Sequence, residues 1–592
     1  MFLKICTYYA SFIQNNEGHE AFHVIVFLSI LLYSLGKGNK NFRNRQIFFL
    51  NVCGYAINFV ILQEKGKNMK SKFPLGIQTF SEIISGNYLY VDKTAWVYEM
   101  AHYAKYQFLS RPRRFGKSLL VSTMQAYFEG RKDLFKGLAI EGMEKEWFSY
   151  PVIHIDLSAS KYFKLLNLHV ALDGILSEYE RIYHIEIDKA YSEVYSSRLK
   201  NIIISASRQT GKKVVVLVDE YDAPMHDSMK DEKLQEEIRE IMRDLFSPLK
   251  QQEANLRFVF ITGISKFSQL SIFSELNTLK ILTLKDEYAS VCGFTESELQ
   301  ENFKEEIQDL AIANHISYDQ VMDELRAHYD GYHFTASSPG IYNPYSIINA
   351  LDDKSFNNYW FSSGTPTVLV DLLQEKGLDM LQVDGIWASA SRFDVPTEKL
   401  SDPIPVLYQS GYLTIKEYNT DRKQYFLCFP NEEVRQGFSE CLYRYYAPDA
   451  YGDYDDLVAS YDDAILKHDD IESFLPHLKT FYDKFPYTLV NNNERHYQAV
   501  LYTIFCMLGA DVVPEYLTSD GRIDLLLRTN KSVYIFELKY GKDAGVAMSQ
   551  IYSKHYAASF ADEKRKVYLV GINFSKDQRT IDDWSLKEEK FN

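Results

Sequence analysis

Two sets of residues in this chain have the types and spacing that phosphate chemistry needs. The first is the run Arg111-Pro112-Arg113-Arg114-Phe115-Gly116-Lys117-Ser118, set between an apolar stretch at residues 107–110 and a helical pattern at residues 118–128. A loop in that setting aims backbone N–H groups and the positive end of the following helix at phosphate oxygens, while the lysine neutralises charge and the serine hydroxyl can ligate Mg²⁺. Arg114, Gly116, Lys117 and Ser118 are the expected nucleotide-binding residues. The usual pattern begins with Gly where this chain has Arg111, and a side chain there narrows the backbone angles open to the turn. The complement lies further on, where the β-branched run at residues 214–218 ends in Asp219-Glu220, as expected of a buried strand meeting a site at its carboxyl end. Asp219 is expected to bind Mg²⁺ through water and Glu220 to polarise the attacking water, with Asp222 a loop carboxylate. A further strand at residues 257–261 runs into Thr262-Gly263-Ile264-Ser265, where Thr262 or Ser265 could sense a γ-phosphate; a plain strand end is the even alternative.

The second set is near the C-terminus. Residues 521–527 and 532–539 read as two strands joined by a turn at Thr529-Asn530-Lys531, which brings Asp524 close to Glu537. Side chains alternate along a strand, so Glu537 and Lys539 share one face while Leu538 points into the core. Two carboxylates and a lysine on one surface suit phosphodiester hydrolysis. The acids hold Mg²⁺, and Lys539 positions a water or stabilises developing charge. Glu494, on the preceding helical stretch, is a candidate further ligand. Burying such acids without a metal or partners would be costly, which weighs against an ordinary surface hairpin. His154 with Asp156 reads as a strand face, and Asp330 with His333 as a turn. No G-x-S-x-G elbow competes.

These residues need a scaffold, and the patterning supplies one. Short apolar runs alternating with amphipathic helices from residue 76 onward predict an α/β fold whose parallel sheet carries crossover helices. Residues 296–328 have helical spacing, as in a lid, and Tyr329-Asp330-Gly331-Tyr332 breaks it. A mixed stretch at residues 355–475 includes a small winged-helix-like unit, and the last 110 residues or so read as helix, strand pair, helix and strand. The expected division is a P-loop core at 69–295, a helical lid at 296–380, a linker at 381–480 and a second α/β domain at 481–592. Residues 1–68 stand apart, with apolar runs at 22–35 and 47–62 around a basic stretch. Both runs are short of the about 20 apolar residues that a membrane-crossing helix needs. Translation from Met69 is the preferred explanation, and a membrane hairpin through 22–62 the alternative. A formal charge of −15 excludes a uniformly basic surface, so contact with nucleic acid requires a local cationic groove or a metal. The six cysteines show neither metal-finger nor disulfide spacing, which fits a reducing cytoplasm.

Taken together, Ser110 to Ser118, Val218-Asp219-Glu220-Tyr221-Asp222, Thr262-Gly263, Gly293-Phe294-Thr295, Tyr329-Asp330-Gly331-Tyr332 and Tyr342-Asn343-Pro344-Tyr345-Ser346 resemble the bacterial AAA-ATPase-like proteins with a C-terminal PD-(D/E)XK nuclease domain. The resemblance runs from about Phe73 to the end, and Arg in place of the first loop Gly is usual in that family. It implies a P-loop NTPase sheet followed by a restriction-endonuclease-like α/β domain, ATP binding with hydrolysis, and supporting roles for Gln550 and Tyr556 on the helix after Lys539. The expected function is an ATPase coupled to Mg²⁺-dependent cleavage of nucleic acid, DNA first, with ATP and Mg²⁺ as cofactors, a cytoplasmic location and a homo-oligomer left open. The alternatives are a nucleotide-dependent nucleic-acid-binding switch that does not cut, and a membrane-anchored ATPase.

Overall fold

The strands that follow the expected apolar runs form a five-stranded parallel sheet in the order β2-β3-β4-β1-β5, where β1 is Tyr106–Ser110, β2 Val152–Asp156, β3 Val214–Asp219, β4 Leu256–Gly263 and β5 Lys280–Ile281. The computed structural model describes residues 72–186, 193–265, 279–362, 379–395, 402–446, 453–484 and 493–591. The N-terminal apolar runs and Met69 lie outside the described residues. Residues 72–73 and 87–89 group with the N-terminal segment; residues 74–86 and 90 onward form the other unit, to which everything below refers. Among the described residues no helix is long and apolar enough to cross a membrane.

β3 is buried along its whole length, which is why it reads as a continuous apolar run instead of an alternating one. Val215 and Leu217 pack on one side with Leu120, Val121 and Met124 of the Lys117–Phe128 helix. Val214, Val216 and Val218 pack on the other with Leu199, Ile202 and Ile203 of the Tyr195–Thr210 helix. β4 lies between β1 and β3, so the loop leaving β1 and the carboxylates ending β3 stand two strand spacings apart, about 10 Å, at one edge of the sheet.

The expected helical region is three helices, Glu296–Asn302, Lys304–Asn314 and Tyr318–Tyr329, the first and third opened by capping boxes from Thr295 with Glu298 and Ser317 with Gln320. In the linker, β6 (Ile386–Ala388), β7 (Thr414–Asn419) and β8 (Gln424–Cys428) form an antiparallel sheet in the order β6-β8-β7, beside the short Ile404–Ser410 helix and ahead of the long Glu432–Tyr446 helix.

The last domain is a mixed five-stranded sheet, β13-β12-β11-β10-β9, where β9 is Asp511–Leu517, β10 Arg522–Arg528, β11 Ser532–Tyr540, β12 Lys566–Phe574 and β13 Ile581–Glu589. β11 and β12 pair in parallel across the Ala544–Ser553 helix, and the other pairings are antiparallel. β10 and β11 fall where the sequence pattern puts them. β9 and β13 exceed the expectation: they are the two edge strands, β9 interrupted by Pro514 and β13 dominated by acidic and polar residues, so neither shows a core-strand pattern. The Glu494–Met507 helix is buried at every position from Tyr497 to Met507, as befits a helix packed on all sides. It lies between the Glu432–Tyr446 helix and the β9–β11 face.

Candidate functional site

The loop after β1 takes its special backbone angles where its spelling does not suggest. Arg111 is 1% exposed; its guanidinium donates to the carbonyls of Ser110, Thr283 and Tyr288 at 2.9, 3.0 and 2.8 Å and lies 4.0 Å from the Phe334 ring. Burial lowers its pKa to about 10. The left-handed residues are Arg114 (φ 67°) and Gly116 (φ 90°), so the constraint expected at Arg111 does not fall on the turn. Arg114 holds its conformation with its guanidinium stacked 4.7 Å over Tyr345. Phe115 packs against Tyr332 and Phe334, and its carbonyl accepts from the Gly293 amide at 3.1 Å. A Cβ at Gly293 would stand 2.3 Å from Ile341. Motifs far apart in the chain thus converge on one loop. Two contributors carry no recognisable motif: Trp360 Nε1 donates to the Arg113 carbonyl at 3.1 Å, and Gly411 leaves room for Pro112.

Lys117, Ser118, Asp219 and Glu220 are brought together. Lys117 is buried, its Nζ 3.1 Å from both the Pro112 carbonyl and Glu220 Oε1. The Ser118 hydroxyl bonds the Asp219 carboxyl, which burial and the neighbouring Glu220 push up to about 7. Glu220 sits at φ 48° with its amide donating to Asp219 Oδ1 at 3.0 Å, a left-handed kink that swings its carboxylate off the strand line toward Lys117.

Thr262 does not join them. It is wholly buried, and its hydroxyl donates to the Leu109 carbonyl at 2.8 Å between β1 and β4, so it ties the sheet together and does not reach the loop. Ser265 is equally buried, donating to Asp222 Oδ2 at 2.6 Å. Asp222 also accepts from the amides of Ile264 and Ser265 and bonds His226, which makes it the carboxylate that organises this turn.

In the second domain, Asp524 Oδ2 accepts from the Leu538 amide at 2.7 Å, which ties β10 to β11 at the site. Lys539 Nζ lies 2.8 Å from Glu537 Oε1, 2.6 Å from the Leu538 carbonyl and 3.3 Å from Glu494 Oε1. Glu494, Asp524, Glu537 and Lys539 therefore share one cleft. Burial, then mutual repulsion, holds the Glu537 carboxyl well above its ordinary range, and burial does the same for Asp524. Burial opposes the Lys539 charge, but Glu537, Glu494 and Asp524 outweigh it and raise its pKa.

Among the described residues no group of three or more His, Cys, Asp or Glu side chains forms a ready metal cage. Mg²⁺ does not need one, because it is commonly held by one or two carboxylates with water completing the octahedron. The cleft fits such an ion: Glu537 Oε2 is buried with no hydrogen-bond partner, beside a second carboxylate whose charge is disfavoured.

Gln550 and Tyr556 lie beside the cleft. They bond each other, and the Tyr556 hydroxyl donates to the Arg522 carbonyl at 2.7 Å. Tyr556 stands in a separate 3-10 turn, Tyr556–Phe560, and not on the Ala544–Ser553 helix as expected; left-handed His555 (φ 49°) separates the two. Gln498 and Glu515 were not anticipated. Gln498 Nε2 donates to Glu515 Oε1 at 2.6 Å and to the Asp524 carbonyl at 2.8 Å. Its position one helical turn after Glu494 is the signal that could have found it.

Two family models match this chain: one described as Predicted AAA-ATPase over residues 74–273, and one of the PD-(D/E)XK nuclease superfamily over residues 492–584. A protein of Azotobacter chroococcum mcd 1, described as "Uncharacterized protein in vnfD 5'region", is 33% identical over 534 residues, covering 86% of this chain and 98% of that relative. The chain belongs to the family of bacterial AAA-ATPase-like proteins that carry a C-terminal PD-(D/E)XK nuclease superfamily domain.

Proposed function

We propose that this protein binds and hydrolyses ATP at the Lys117–Glu220 site and, under control of that site, cleaves nucleic acid, DNA first, at the Asp524–Glu537–Lys539 cleft. The observation that carries the reading is the cleft itself: an acidic pair with raised pKa values, a buried carboxylate oxygen lacking a partner and a lysine within reach. In the nucleotide site Lys117 would exchange Glu220 for phosphate oxygens, leaving Glu220 to orient a water and take its proton. Mg²⁺, held by Ser118 and Asp219 in one site and by Asp524 and Glu537 in the other, would supply charge neutralisation and a more acidic water. Lys539 would stabilise charge developing on the cleaved phosphate.

Contacts between the two sites support their coupling. Trp360 donates from its ring to Arg113 in the loop and from its backbone amide to Glu433 at 2.5 Å. Glu433 lies in the first turn of the helix that packs on Glu494–Met507, which in turn carries Glu494 and Gln498 into the cleft. Movement of the loop on nucleotide binding would thus be felt at Asp524. The division at 295, 380 and 480 and a cytoplasmic location belong to the same reading, the latter supported by free thiols at Cys292, Cys428 and Cys506.

The test is to incubate the full-length protein with plasmid, linear duplex, single-stranded DNA and RNA, with and without ATP and Mg²⁺. Mg²⁺-dependent cutting of DNA whose rate changes with ATP is expected. Binding with no cutting of any substrate would replace the reading with a non-cleaving switch.

A further inference from the structure

The cleft opens onto a guanidinium that the chemistry proposed above does not use. Arg522 and Asp524 are two residues apart on β10, separated by roughly 7 Å along the strand. The Arg522 side chain is 62% exposed, and its Nε is ion-paired with Glu515. Glu515 is unusual: it stands opposite Asp524 in the β9–β10 register, between the Tyr516–Ile523 and Pro514–Leu525 pairs, with φ 55°. That conformation is strained for a residue with a side chain, and it persists only where the surroundings hold it. Here the Gln498 amide grips Glu515 Oε1 from the core side, which turns the other carboxylate oxygen toward Arg522. The Arg522 backbone is fixed as well, through the Tyr556 hydroxyl on its carbonyl. Before it, a Cβ at Gly521 would meet the Tyr556 ring at 3.1 Å and the Lys554 side chain at 3.5 Å, so exposed Lys554 lies alongside. Two cations therefore stand near the acidic residues of the site in a chain of net charge −15.

We propose that Arg522, anchored through Nε by Glu515 and accompanied by Lys554, binds the backbone phosphate next to the one cleaved at Asp524, so that the substrate is a polynucleotide gripped at successive phosphates. The pairing at Nε orients the guanidinium plane and leaves its outer edge for a two-point contact with phosphate, which Arg makes and Lys does not. This inference rests on the nuclease reading of the cleft.

The test measures binding of a labelled DNA oligonucleotide by fluorescence anisotropy across a salt series, using full-length Glu537→Gln protein with Mg²⁺ so that the probe is not cut. Losing one phosphate contact lowers the slope of log affinity against log salt by about 0.7 to 0.9. Arg522→Ala on that background is expected to show this lower slope and an affinity down about tenfold. Arg522→Lys should keep the slope but lose affinity several-fold, and it decides the matter if the alanine variant melts below its parent. Affinity and slope equal to the parent in both variants would overturn the Arg522 assignment while leaving the cleft intact. Failure of the parent to bind any DNA or RNA probe, with wild type cutting none, would instead overturn the nuclease reading and this inference with it.

Discussion

Replacing Glu433 by glutamine should stabilise the protein at alkaline pH and leave it nearly unchanged in acid. Glu433 has no accessible surface; its carboxylate accepts from Ser346 Oγ at 2.7 Å and from the Trp360 amide at 2.5 Å. Those bonds favour the ion, but burial outweighs them and pushes the pKa from 4.5 up to about 7. A carboxyl whose folded pKa is raised binds its proton more tightly in the folded state. Its contribution to stability is therefore complete below about pH 4.5 and is lost as the pH rises through about 7. At 1.36 kcal/mol per pH unit the loss amounts to about 3 kcal/mol by pH 8. Glutamine carries no charge, keeps an acceptor for the Trp360 amide and can donate to Ser346 Oγ. Urea unfolding followed by tryptophan fluorescence should find the two proteins within about 0.5 kcal/mol at pH 4.5 and the variant 1 to 3 kcal/mol more stable at about pH 8. Stability curves that run parallel across this range would refute the reasoning. Glu433→Ala, which removes the acceptors themselves, should destabilise at both pH values and uncouple cleavage from ATP.

Three further outcomes are expected. Gly293→Ala forces a side chain into φ 86° and to within 2.3 Å of Ile341, and it should cost about 2 to 4 kcal/mol in a denaturant titration. Trp360→Phe deletes the donor to the Arg113 carbonyl, worth about 1 kcal/mol, so calorimetric titration should show ATP bound about fivefold more weakly, with the response of cleavage to ATP reduced. Gln498→Ala leaves Glu515 and the Asp524 carbonyl without their shared donor; cleavage should fall at least about tenfold while ATP turnover holds, and equal losses in both assays would contradict the placement.

Much of the scaffold was legible because burial leaves a local signature. β3, and β4 from Phe258 to Ile261, are covered on both faces and read as unbroken apolar runs, and Glu537 and Lys539 could be assigned to one face from strand alternation alone. β9 and β13 were not legible, since edge strands have little apolar content to display. At Arg111 the departure from the usual loop is legible but its reason is not: its side chain turns inward to cap three carbonyls, and the left-handed positions fall at Arg114 and Gly116. In sequence Thr262 fits a phosphate sensor and a plain strand end equally, because a hydroxyl at a strand end is common to both roles; only the tertiary bond to Leu109 separates them. Trp360, Glu433 and Gln498 act through partners 247, 73 and 26 residues away, contacts that no local pattern announces.

The coupling of two active sites is tested most directly by a crossed pair of variants, Lys117→Ala and Glu537→Gln, each assayed for ATP hydrolysis and for Mg²⁺-dependent DNA cleavage in the full-length protein. Glu537→Gln should abolish cleavage and keep ATP turnover, and Lys117→Ala should abolish turnover and remove the response of cleavage to ATP. Undiminished cleavage by Glu537→Gln, or undiminished ATP turnover by Lys117→Ala, would contradict it.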